Sequence, residues 1–397
     1  MNTFSGPKNV AFLFGSGISI PALLPKMDEI TKKVLSGDGV IRGINGNYYF
    51  GRSAIEDGYV PIVTQFLNRL KNESDQYYAR WDDRSVNYED LYYIASQISD
   101  SESEEYDNPA IQPLIDKILP DIDPLLKGNG YLISEDMELR DLARETTNYI
   151  HDIVQCSLAK EPETLDHLAF IKDACLDNDF SSIDIFTLNH DAVLEQFFKA
   201  APEIQVTDGF DSAPAPQARF WSPTLFEKKD FSVRLFKLHG SVDWYRLRPD
   251  EGSRFDDKIG IPQGDIYHST NALKQRLISD ARPMFLAGTF NKMLDYTGSI
   301  YAELYCWFLR RLNETERLIV CGYGFGDKGI NRAIFEWVYA SRTRRVIIIH
   351  DKPEELKEKA RPILRNNWDE LEKEGILKSI PQKIKKDTKW WDIKSCL

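Results

Sequence analysis

Short apolar segments recur along this chain, and the stretches between them have helical spacing. Such alternation is compatible with few fold classes. Apolar runs of this length suit strands that are buried on both faces. Such strands, alternating with helices, are typical of a parallel sheet covered by helices on both sides. The sequence therefore predicts an α/β fold. The predicted strands are Asn9–Phe14, Ile183–Leu188, Val233–Leu238, Met284–Ala287, Leu318–Gly322 and Arg345–His350.

The alternation is interrupted between about 38 and 164. Gly43–Tyr49 is typical of turns or a hairpin, and tyrosine-rich segments with helical spacing follow it. The acidic run at 100–105 is predicted to be a solvated loop between helices. We therefore divide the chain into an α/β domain made of 1–37 and 165–350, a mostly helical insertion at 38–164, and a C-terminal helix with a basic tail at 351–397.

Composition excludes several classes of protein. The 397 residues include 50 Lys and Arg against 62 Asp and Glu, a net charge of −12, which argues against direct binding of a nucleic-acid backbone. The five cysteines are scattered without a C-x-x-C pair, which argues against a disulfide framework and a four-cysteine zinc site. No apolar run reaches the roughly 18 residues of a membrane helix, and no signal peptide is evident. We expect a soluble cytoplasmic protein.

Polar or glycine-rich motifs follow four of the predicted strands, where parallel sheets bind their ligands. They are G-S-G-I-S at Gly15–Ser19, T-L-N-H-D at Thr187–Asp191, F-K-L-H-G-S at Phe236–Ser241 and G-Y-G-F-G-D at Gly322–Asp327. Taken singly, each motif also has an ordinary structural explanation. The two glycine motifs can be tight turns, Asp191 can cap the next helix, and a lone histidine is more often structural than catalytic.

The same residue types suit nucleotide chemistry. Glycine lets the backbone approach a pyrophosphate, and a helix that follows offers free N–H groups. Position 20 is Ile, so the third glycine of the usual dinucleotide loop is missing, and no phosphate loop ending in Gly-Lys-Ser/Thr occurs. His239, at a strand end, can serve as a general base because imidazole titrates near neutral pH.

Together and in this order, the four motifs resemble those of the sirtuin-like superfamily, most of all its bacterial antiphage-defence branch. Ser16 stands where sirtuins carry alanine, Leu188 replaces a glutamine, and Tyr323 replaces a small residue. His239-Gly240 matches the catalytic His-Gly, and 288–292 is similar to a G-T-x-x-K element of the defence branch. The resemblance covers about 1–36 and 165–350, and it implies that the α/β domain is a Rossmann-like NAD-binding domain.

Two departures bear on the reaction that the resemblance implies. Deacetylase sirtuins insert a zinc ribbon between the His-Gly motif and the later strand, whereas this chain has only Cys306 and Cys321 between His239 and Gly322. The insertion at 38–164 is also longer than in deacetylases. Both features resemble the defence enzymes, which hydrolyse NAD+. We therefore expect an NAD+ glycohydrolase that uses NAD+ as substrate and needs no metal.

The resemblance also implies a role for each site residue. Asn189 would orient water and ribose, Asp191 would hold Asn189 or the ribose, and His239 would act as base. His190 is expected to be structural. The residues expected to bind the rest of NAD+ are Gly15, Ser16, Gly17 and Ser19 at the pyrophosphate, Gly322, Tyr323, Gly324 and Asp327 on the adenosine side, and Thr187.

The family further implies control by assembly. We expect a homo-oligomer that works with a HerA-type hexameric ATPase or, as a second choice, with a short Argonaute-type protein. Lys383–Lys394, with Trp390 and Trp391, can be a docking segment or can pack on the body of the protein. Two other functions stay open, an NAD-binding regulatory scaffold and an NAD-dependent deacylase or ADP-ribosyltransferase. The preference for NAD+ over NADP+ and the choice between hydrolysis and cyclisation also stay open.

Overall fold

A seven-stranded, wholly parallel sheet forms the centre of the protein. The computed structural model describes residues 9–51, 59–80, 84–105, 107–128, 136–211, 218–247, 257–262, 282–288, 292 and 296–397. The strand order is β13-β12-β11-β1-β4-β8-β5, and every neighbouring pair is parallel. The predicted α/β fold with a parallel sheet is confirmed. The seven strands are β1 (Asn9–Phe14), β4 (Ser182–Thr187), β5 (Val206–Thr207), β8 (Val233–Lys237), β11 (Arg317–Cys321), β12 (Arg345–Ile349) and β13 (Leu377–Ile380).

The register brings the ends of four adjacent strands level with one another. Phe14 at the end of β1 pairs with Cys321 of β11 on one side and with Thr187 of β4 on the other. Thr187 in turn pairs with Lys237 at the end of β8. The residues that follow these four strands are therefore neighbours at one edge of the sheet.

Side chains along β1 alternate between two apolar cores, one on each face of the sheet. Helices cover both faces. Ala11 and Leu13 belong to one core, and Val10, Phe12 and Phe14 belong to the other. All five side chains are fully buried. Among the described residues, the α-helices outside the insertion are α1 (Met27–Ser36), α6 (Ala169–Cys175), α7 (Val193–Ala200), α8 (Ser299–Asn313), α9 (Lys328–Tyr339), α10 (Pro353–Lys359), α11 (Pro362–Arg365), α12 (Trp368–Lys373) and α13 (Trp390–Lys394).

In its described residues the insertion has four helices and a hairpin, and their apolar core also includes side chains of α1 and Phe285. Phe66, Leu91 and Ile150 are fully buried in that core. Asn87 caps its second helix by accepting N–H donations from Glu89 and Asp90. This helix continues to Glu102, so the acidic run at 100–105 begins inside a helix rather than in a loop. The elements are α2 (Tyr59–Tyr78), α3 (Tyr88–Glu102), α4 (Gln112–Leu126) and α5 (Leu139–Leu158), with β2 (Val40–Arg42) antiparallel to β3 (Tyr48–Phe50).

A small antiparallel sheet is formed by segments that lie between β5 and β11 in the chain, and no sequence pattern predicted it. The predicted strand Met284–Ala287 is wrong, because in the described residues Phe285 forms only an isolated antiparallel bridge with Gly240. Ser241 N–H donates to the Met284 carbonyl and Leu286 N–H to that of His239, so this segment pairs with the loop after β8. The strands of the small sheet are β6 (Phe210–Asp211), β7 (Ala218–Trp221), β9 (Tyr245–Leu247) and β10 (Lys258–Pro262), in the order β6-β7-β10-β9.

The C-terminal region adds β13 to the edge of the sheet and packs two tryptophans, Trp368 and Trp390, into the apolar cores. In place of the single C-terminal helix that we expected there are three short ones at the start of this region, and the first ends before Pro362, which cannot continue a helix and follows an extended residue. Trp390 is 1% exposed and donates its indole N–H to Asp177 at 2.7 Å, whereas Trp391 is 67% exposed. Within the described part of the chain, no helix is both long and apolar enough to span a membrane.

Candidate functional site

The site lies where β11, β1, β4 and β8 end side by side. Gly322 follows β11, Gly15 follows β1, Leu188 follows β4 and Leu238 follows β8. Backbone hydrogen bonds continue past the strands, from Leu188 N–H to the Phe14 carbonyl and from Leu238 N–H to that of Thr187, both at 2.9 Å. The structure therefore brings all four sequence motifs to one edge of the sheet.

Gly15, Gly17 and Gly322 form a junction in which two loops touch backbone to backbone. Gly15 N–H donates to the Cys321 carbonyl and Gly17 N–H to that of Gly322, at 3.0 and 2.9 Å. A Cβ on Gly15 would lie 2.6 Å from Gly322 O, and one on Gly17 would lie 2.6 Å from Gly322 Cα. These contacts leave no room for side chains, so close packing of the two loops is one reason for the glycines.

The loop after β1 does not lead directly into an α-helix. Two 3-10 turns, Ser16–Ile18 and Ile20–Ala22, separate it from α1. The free N–H groups that we expected next to a pyrophosphate therefore belong to short turns rather than to the start of α1. Ser16 is exposed on the first turn, and Ser19 between the turns is buried.

Ser19 links the two polar residues that follow β4. Asn189 Nδ2 donates to Ser19 Oγ at 3.0 Å, and Ser19 Oγ donates to Asp191 Oδ2 at 2.8 Å. Asp191 Oδ1 accepts from the Val193 N–H at 3.1 Å, so this carboxylate also caps α7. Thr187 Oγ1 accepts the Asn189 N–H at 3.1 Å. Asp191 thus accepts the first N–H of a helix, as one of the two alternatives requires, and is joined to Asn189 only through Ser19.

Asn189 has an acceptor that the protein leaves unused. The residue is 6% exposed, and its Oδ1 atom is buried with no hydrogen-bond partner among the described residues. A buried amide oxygen without a partner is costly, by about 1–3 kcal/mol. Because Nδ2 is already bound to Ser19, Oδ1 is the atom that can accept a hydrogen bond from a substrate hydroxyl or a water.

Lys237, at the last position of β8, fixes the loop that carries Asn189. Its Nζ donates to the Asp191 carbonyl oxygen and pairs with Glu195 Oε1 at 2.7 Å. Burial raises the pKa of Glu195 to about 7, although Lys237 opposes this shift. The sequence motifs did not single out Lys237, because a lysine at the end of a strand is ordinarily solvated.

His239, Tyr296 and Asp327 form a buried triangle beside this loop. His239 Nε2 lies 2.6 Å from Tyr296 Oη and 3.2 Å from Asp327 Oδ2, and Tyr296 Oη donates to Asp327 Oδ2 at 3.0 Å. Asp327 Oδ1 accepts the Ile330 N–H and so caps α9. Asp327, expected on the adenosine side, is thus in contact with His239. Tyr296 was missed, since no motif surrounds it.

The pKa shifts of this triangle favour a neutral imidazole beside a carboxylate. Burial lowers the pKa of His239, the charge of Lys292 lowers it further, and Asp327 and Glu89 act in the opposite direction. Burial alone would raise the pKa of Asp327, but hydrogen bonding and attraction to His239 hold it well below its usual range. His239 is therefore poised to accept a proton near neutral pH.

An ion pair between Glu89 and Lys292 connects the insertion to the site. Lys292 Nζ donates to Glu89 Oε1 at 2.8 Å, and the two side chains are 9% and 14% exposed. Glu89 lies in the first turn of α3, and Lys292 is joined to Tyr296 by the bond from Tyr296 N–H to the Lys292 carbonyl at 3.0 Å. Gly288 and Lys292 of the 288–292 element are described, and the three residues between them lie outside the described part of the chain.

The other predicted residues have mainly structural contacts. Tyr323 is buried, and its Oη donates to Asn331 Oδ1 at 2.7 Å and accepts the Asp327 N–H at 3.1 Å. A Cβ added to Gly324 would meet no atom within 4 Å. The ring centroid of His190 lies 4.8 Å from that of Phe285 and 6.1 Å from that of His239. Burial holds the pKa of His190 well below its usual value.

Removing the Ser19 hydroxyl will destabilise the protein. We expect Ser19→Ala to lower the free energy of unfolding by about 1–3 kcal/mol, because Asn189 Nδ2 and Asp191 Oδ2 both lose a buried partner. Denaturant titration measures this change. Ser16→Ala is the matched control, since Ser16 is exposed on the same loop. Equal stability of the two variants would contradict the importance of the buried link.

Among the described residues, no group of three or more His, Cys, Asp or Glu side chains could hold a metal ion. The cysteines at 156, 175, 306, 321 and 396 are free thiols. The arrangement instead supplies an amide acceptor, a histidine base with a carboxylate partner, and a junction of two glycine loops.

Comparison with known proteins supports a sirtuin-related domain. Residues 184–376 match the family profile described as a SIR2-like domain. The match covers just under half of the chain and includes Asn189, Asp191, His239 and Asp327, but not the loop at 15–19. No protein in a search of curated sequences matches the chain.

Two solved structures illustrate the level of similarity. One is a serine-to-alanine variant of a Sir2 homologue in complex with ADP-ribose, with 11% identity, a TM-score of 0.37, and coverage of 99% of this chain and 92% of the other. The second is Sir2 with an inhibitor, 2′-O-acetyl-ADP-ribose and a deacetylated peptide, with 11% identity, a TM-score of 0.34, and coverage of 94% and 97%.

Proposed function

We propose that this protein is an NAD+ glycohydrolase, which cleaves NAD+ to nicotinamide and ADP-ribose. The observation that carries the proposal is the arrangement at the strand ends, where the unpartnered amide oxygen of Asn189 and the histidine base His239 follow two adjacent strands. The SIR2-like domain match supports NAD-related chemistry at these residues.

The reaction needs positioning more than acid catalysis. Nicotinamide leaves a cationic sugar as a neutral molecule, so the electron pair of the broken C–N bond requires no proton. The sugar passes through a state similar to an oxocarbenium ion. Asn189 Oδ1 would accept a hydrogen bond from the water or the ribose, and His239 would take the proton of the attacking hydroxyl. Asp191 and Ser19 would hold the Asn189 amide in place.

The two glycine loops would bind the remainder of NAD+. Gly15, Ser16, Gly17 and Ser19 are assigned to the pyrophosphate, with Ser16 the most exposed of them. Gly322, Tyr323 and Gly324 are assigned to the adenosine side, together with Thr187 at the end of β4. Because Asp327 contacts His239, we assign this carboxylate to the ribose side of the site instead.

Separation of the products by chromatography tests the proposal. The full chain is incubated with NAD+, alone and with its candidate partner and DNA, and His239→Ala serves as the blank. Release of equal amounts of nicotinamide and ADP-ribose supports hydrolysis, and cyclic ADP-ribose would point to cyclisation. Nicotinamide release only with an acylated or acceptor protein would favour the deacylase or ADP-ribosyltransferase. NAD+ that survives every mixture would overturn the hydrolase and favour an NAD-binding scaffold.

The biological setting follows from the same proposal. An enzyme that depletes NAD+ harms its host unless it is held inactive, so we propose a role in antiphage defence under the control of assembly. The proposed assembly is a homo-oligomer with a HerA-type hexameric ATPase, and a short Argonaute-type protein is the alternative. The exposed Trp391, beside the lysines of the C-terminal segment, is a suitable contact for such a partner. Co-purification of the wild type and Trp391→Ala with the ATPase tests this contact.

Removing the charge of Lys292 and removing that of Glu89 should shift the pH dependence of cleavage in opposite directions. Lys292 lowers the pKa of His239 and Glu89 raises it. Lys292→Met should therefore move the acidic limb of kcat/KM to higher pH, because His239 then stays protonated over a wider range. Glu89→Gln should move it to lower pH. Profiles measured between about pH 5 and 8 test both shifts. Shifts in the same direction would show that the pair does not act on His239 through its charges.

A further inference from the structure

Proton counting in the buried triangle restricts how His239 can be protonated. Three short contacts join His239 Nε2, Tyr296 Oη and Asp327 Oδ2. If Tyr296 donated its single proton to Nε2, no proton would lie between Tyr296 Oη and Asp327 Oδ2, and two lone pairs would face each other at 3.0 Å. A proton on Nε2 satisfies every contact, because Nε2–H then points at both oxygens and the tyrosine hydroxyl donates to the carboxylate.

The charge states of the two partners agree with this arrangement. Burial raises the pKa of Tyr296 well above its usual value, so its hydroxyl stays a donor. Asp327 has a lowered pKa and therefore accepts with an ionised carboxylate. It also accepts the Ile330 N–H at 3.0 Å with its other oxygen, which fixes its orientation.

Tyr296 is itself held firmly in place. Its ring stacks on Tyr305 with 4.7 Å between centroids and 17° between planes. A Cβ on Gly329 would lie 3.1 Å from Tyr296 Cε2, so the glycine gives the ring its place against α9. The backbone N–H of Tyr296 donates to the Lys292 carbonyl. The hydroxyl that meets His239 is therefore set by packing on several sides.

We propose that Tyr296 is a positioning residue which, with Asp327, fixes His239 as the Nε2–H tautomer and leaves Nδ1 as the proton acceptor of the reaction. Both hydrogen bonds of the His239 ring to described residues are at Nε2, so Nδ1 is left without one. In the step, Nδ1 takes a proton from water as the water oxygen bonds to the ribose carbon, and the C–N electron pair leaves with neutral nicotinamide. The imidazolium then returns its proton to solvent. This catalytic part rests on the proposed function.

The tautomer can be observed directly, without any turnover. Only six histidines occur in the chain, so protein labelled with 15N-histidine gives few signals in NMR spectra, and His239→Ala identifies the one of interest. We expect Nε2 to carry the proton in the wild type. In Asp327→Asn the new amide can donate to Nε2, and we expect the proton to move to Nδ1. A wild-type signal from the Nδ1–H tautomer would overturn the proposal.

Kinetics test the role of the hydroxyl. Tyr296→Phe should lower kcat about 10–100-fold, as is typical when a partner that orients a histidine is lost, with KM nearly unchanged. Tyr305→Phe is the matched control, because it removes a neighbouring hydroxyl, bound to the Gly329 carbonyl, and keeps the stacked ring. Equal kcat in the two variants would overturn the positioning role. Absence of NAD+ cleavage by the wild type would instead count against the proposed function, and the NMR result would still decide the tautomer.

Discussion

His239→Ala will lower the kcat of NAD+ cleavage by about 10²–10⁴-fold, the usual effect of removing a general base. His239 is 3% exposed and is the only imidazole of the described residues that contacts a carboxylate and a tyrosine hydroxyl together. Alanine removes the proton acceptor and leaves Asn189 in place. We therefore expect substrate binding to survive, with KM changed far less than kcat. Steady-state rates of nicotinamide release measure both values.

Two controls separate loss of the base from loss of the fold. His350→Ala removes a half-buried imidazole whose Nδ1 lies beside the Asp351 carboxylate and accepts the Lys352 N–H, both in its own segment. This variant should keep wild-type rates. The thermal midpoint of His239→Ala should fall, because a buried side chain is removed and Asp327 Oδ2 loses a hydrogen-bond partner, so the rates are compared at a temperature at which both variants are folded. A folded His239→Ala variant that cleaves NAD+ at the wild-type rate would exclude His239 as the base.

Gly322→Ala will damage both stability and substrate binding. Gly322 has φ of +67°, and a Cβ there would lie 2.5 Å from Ile18 N and 2.8 Å from Gly17 C. These neighbours are backbone atoms and cannot rotate away, so the two loops must separate. We expect a loss of about 3 kcal/mol in the free energy of unfolding, from strain and overpacking. NAD+ binding should weaken at the same time, because the separated loops form the proposed pyrophosphate and adenosine sites.

Gly326→Ala is the matched control for this variant. It lies four residues later in the same loop, has no positive φ, and a Cβ there would meet no atom within 4 Å. Denaturant titration of both variants and calorimetric titration with NAD+ give the comparison. If the two alanines cost the same free energy, contact between the two loops is not what requires glycine at 322.

The sequence predicted the sheet and the placement of the four motifs because both depend on local patterns. Buried strands such as Val233–Lys237 are continuous apolar runs, and polar residues cannot continue inside them. Asn189 and His239 were therefore assigned to strand ends, and parallel strands bring their ends to one edge. The register, in which Thr187 pairs with both Phe14 and Lys237, confirms that these ends are level.

Contacts made at long range could not be predicted in this way. Tyr296 meets His239 across 57 residues, and Glu89 meets Lys292 across 203. Neither tyrosine nor glutamate carries a local signal of such a contact. Short strands were missed for a related reason, since Phe210–Asp211 has only two residues and no periodicity can be measured in it. Met284–Ala287 was wrongly predicted because its apolar residues pair with a loop instead of a strand.

The central position of β1 determines when the site can exist during synthesis. Among the seven strands of the main sheet, β1 is synthesised first, but its two neighbours, β4 and β11, begin at Ser182 and Arg317. At about 5–20 residues per second, a growing chain needs roughly 15–60 s between Gly15 and Asp327. Until then the strand that carries Gly15 has at most one of its two partners, and the His239–Asp327 contact is absent. A nascent chain therefore has no complete site. A chain whose synthesis stops before β11 lacks the contact between His239 and Asp327.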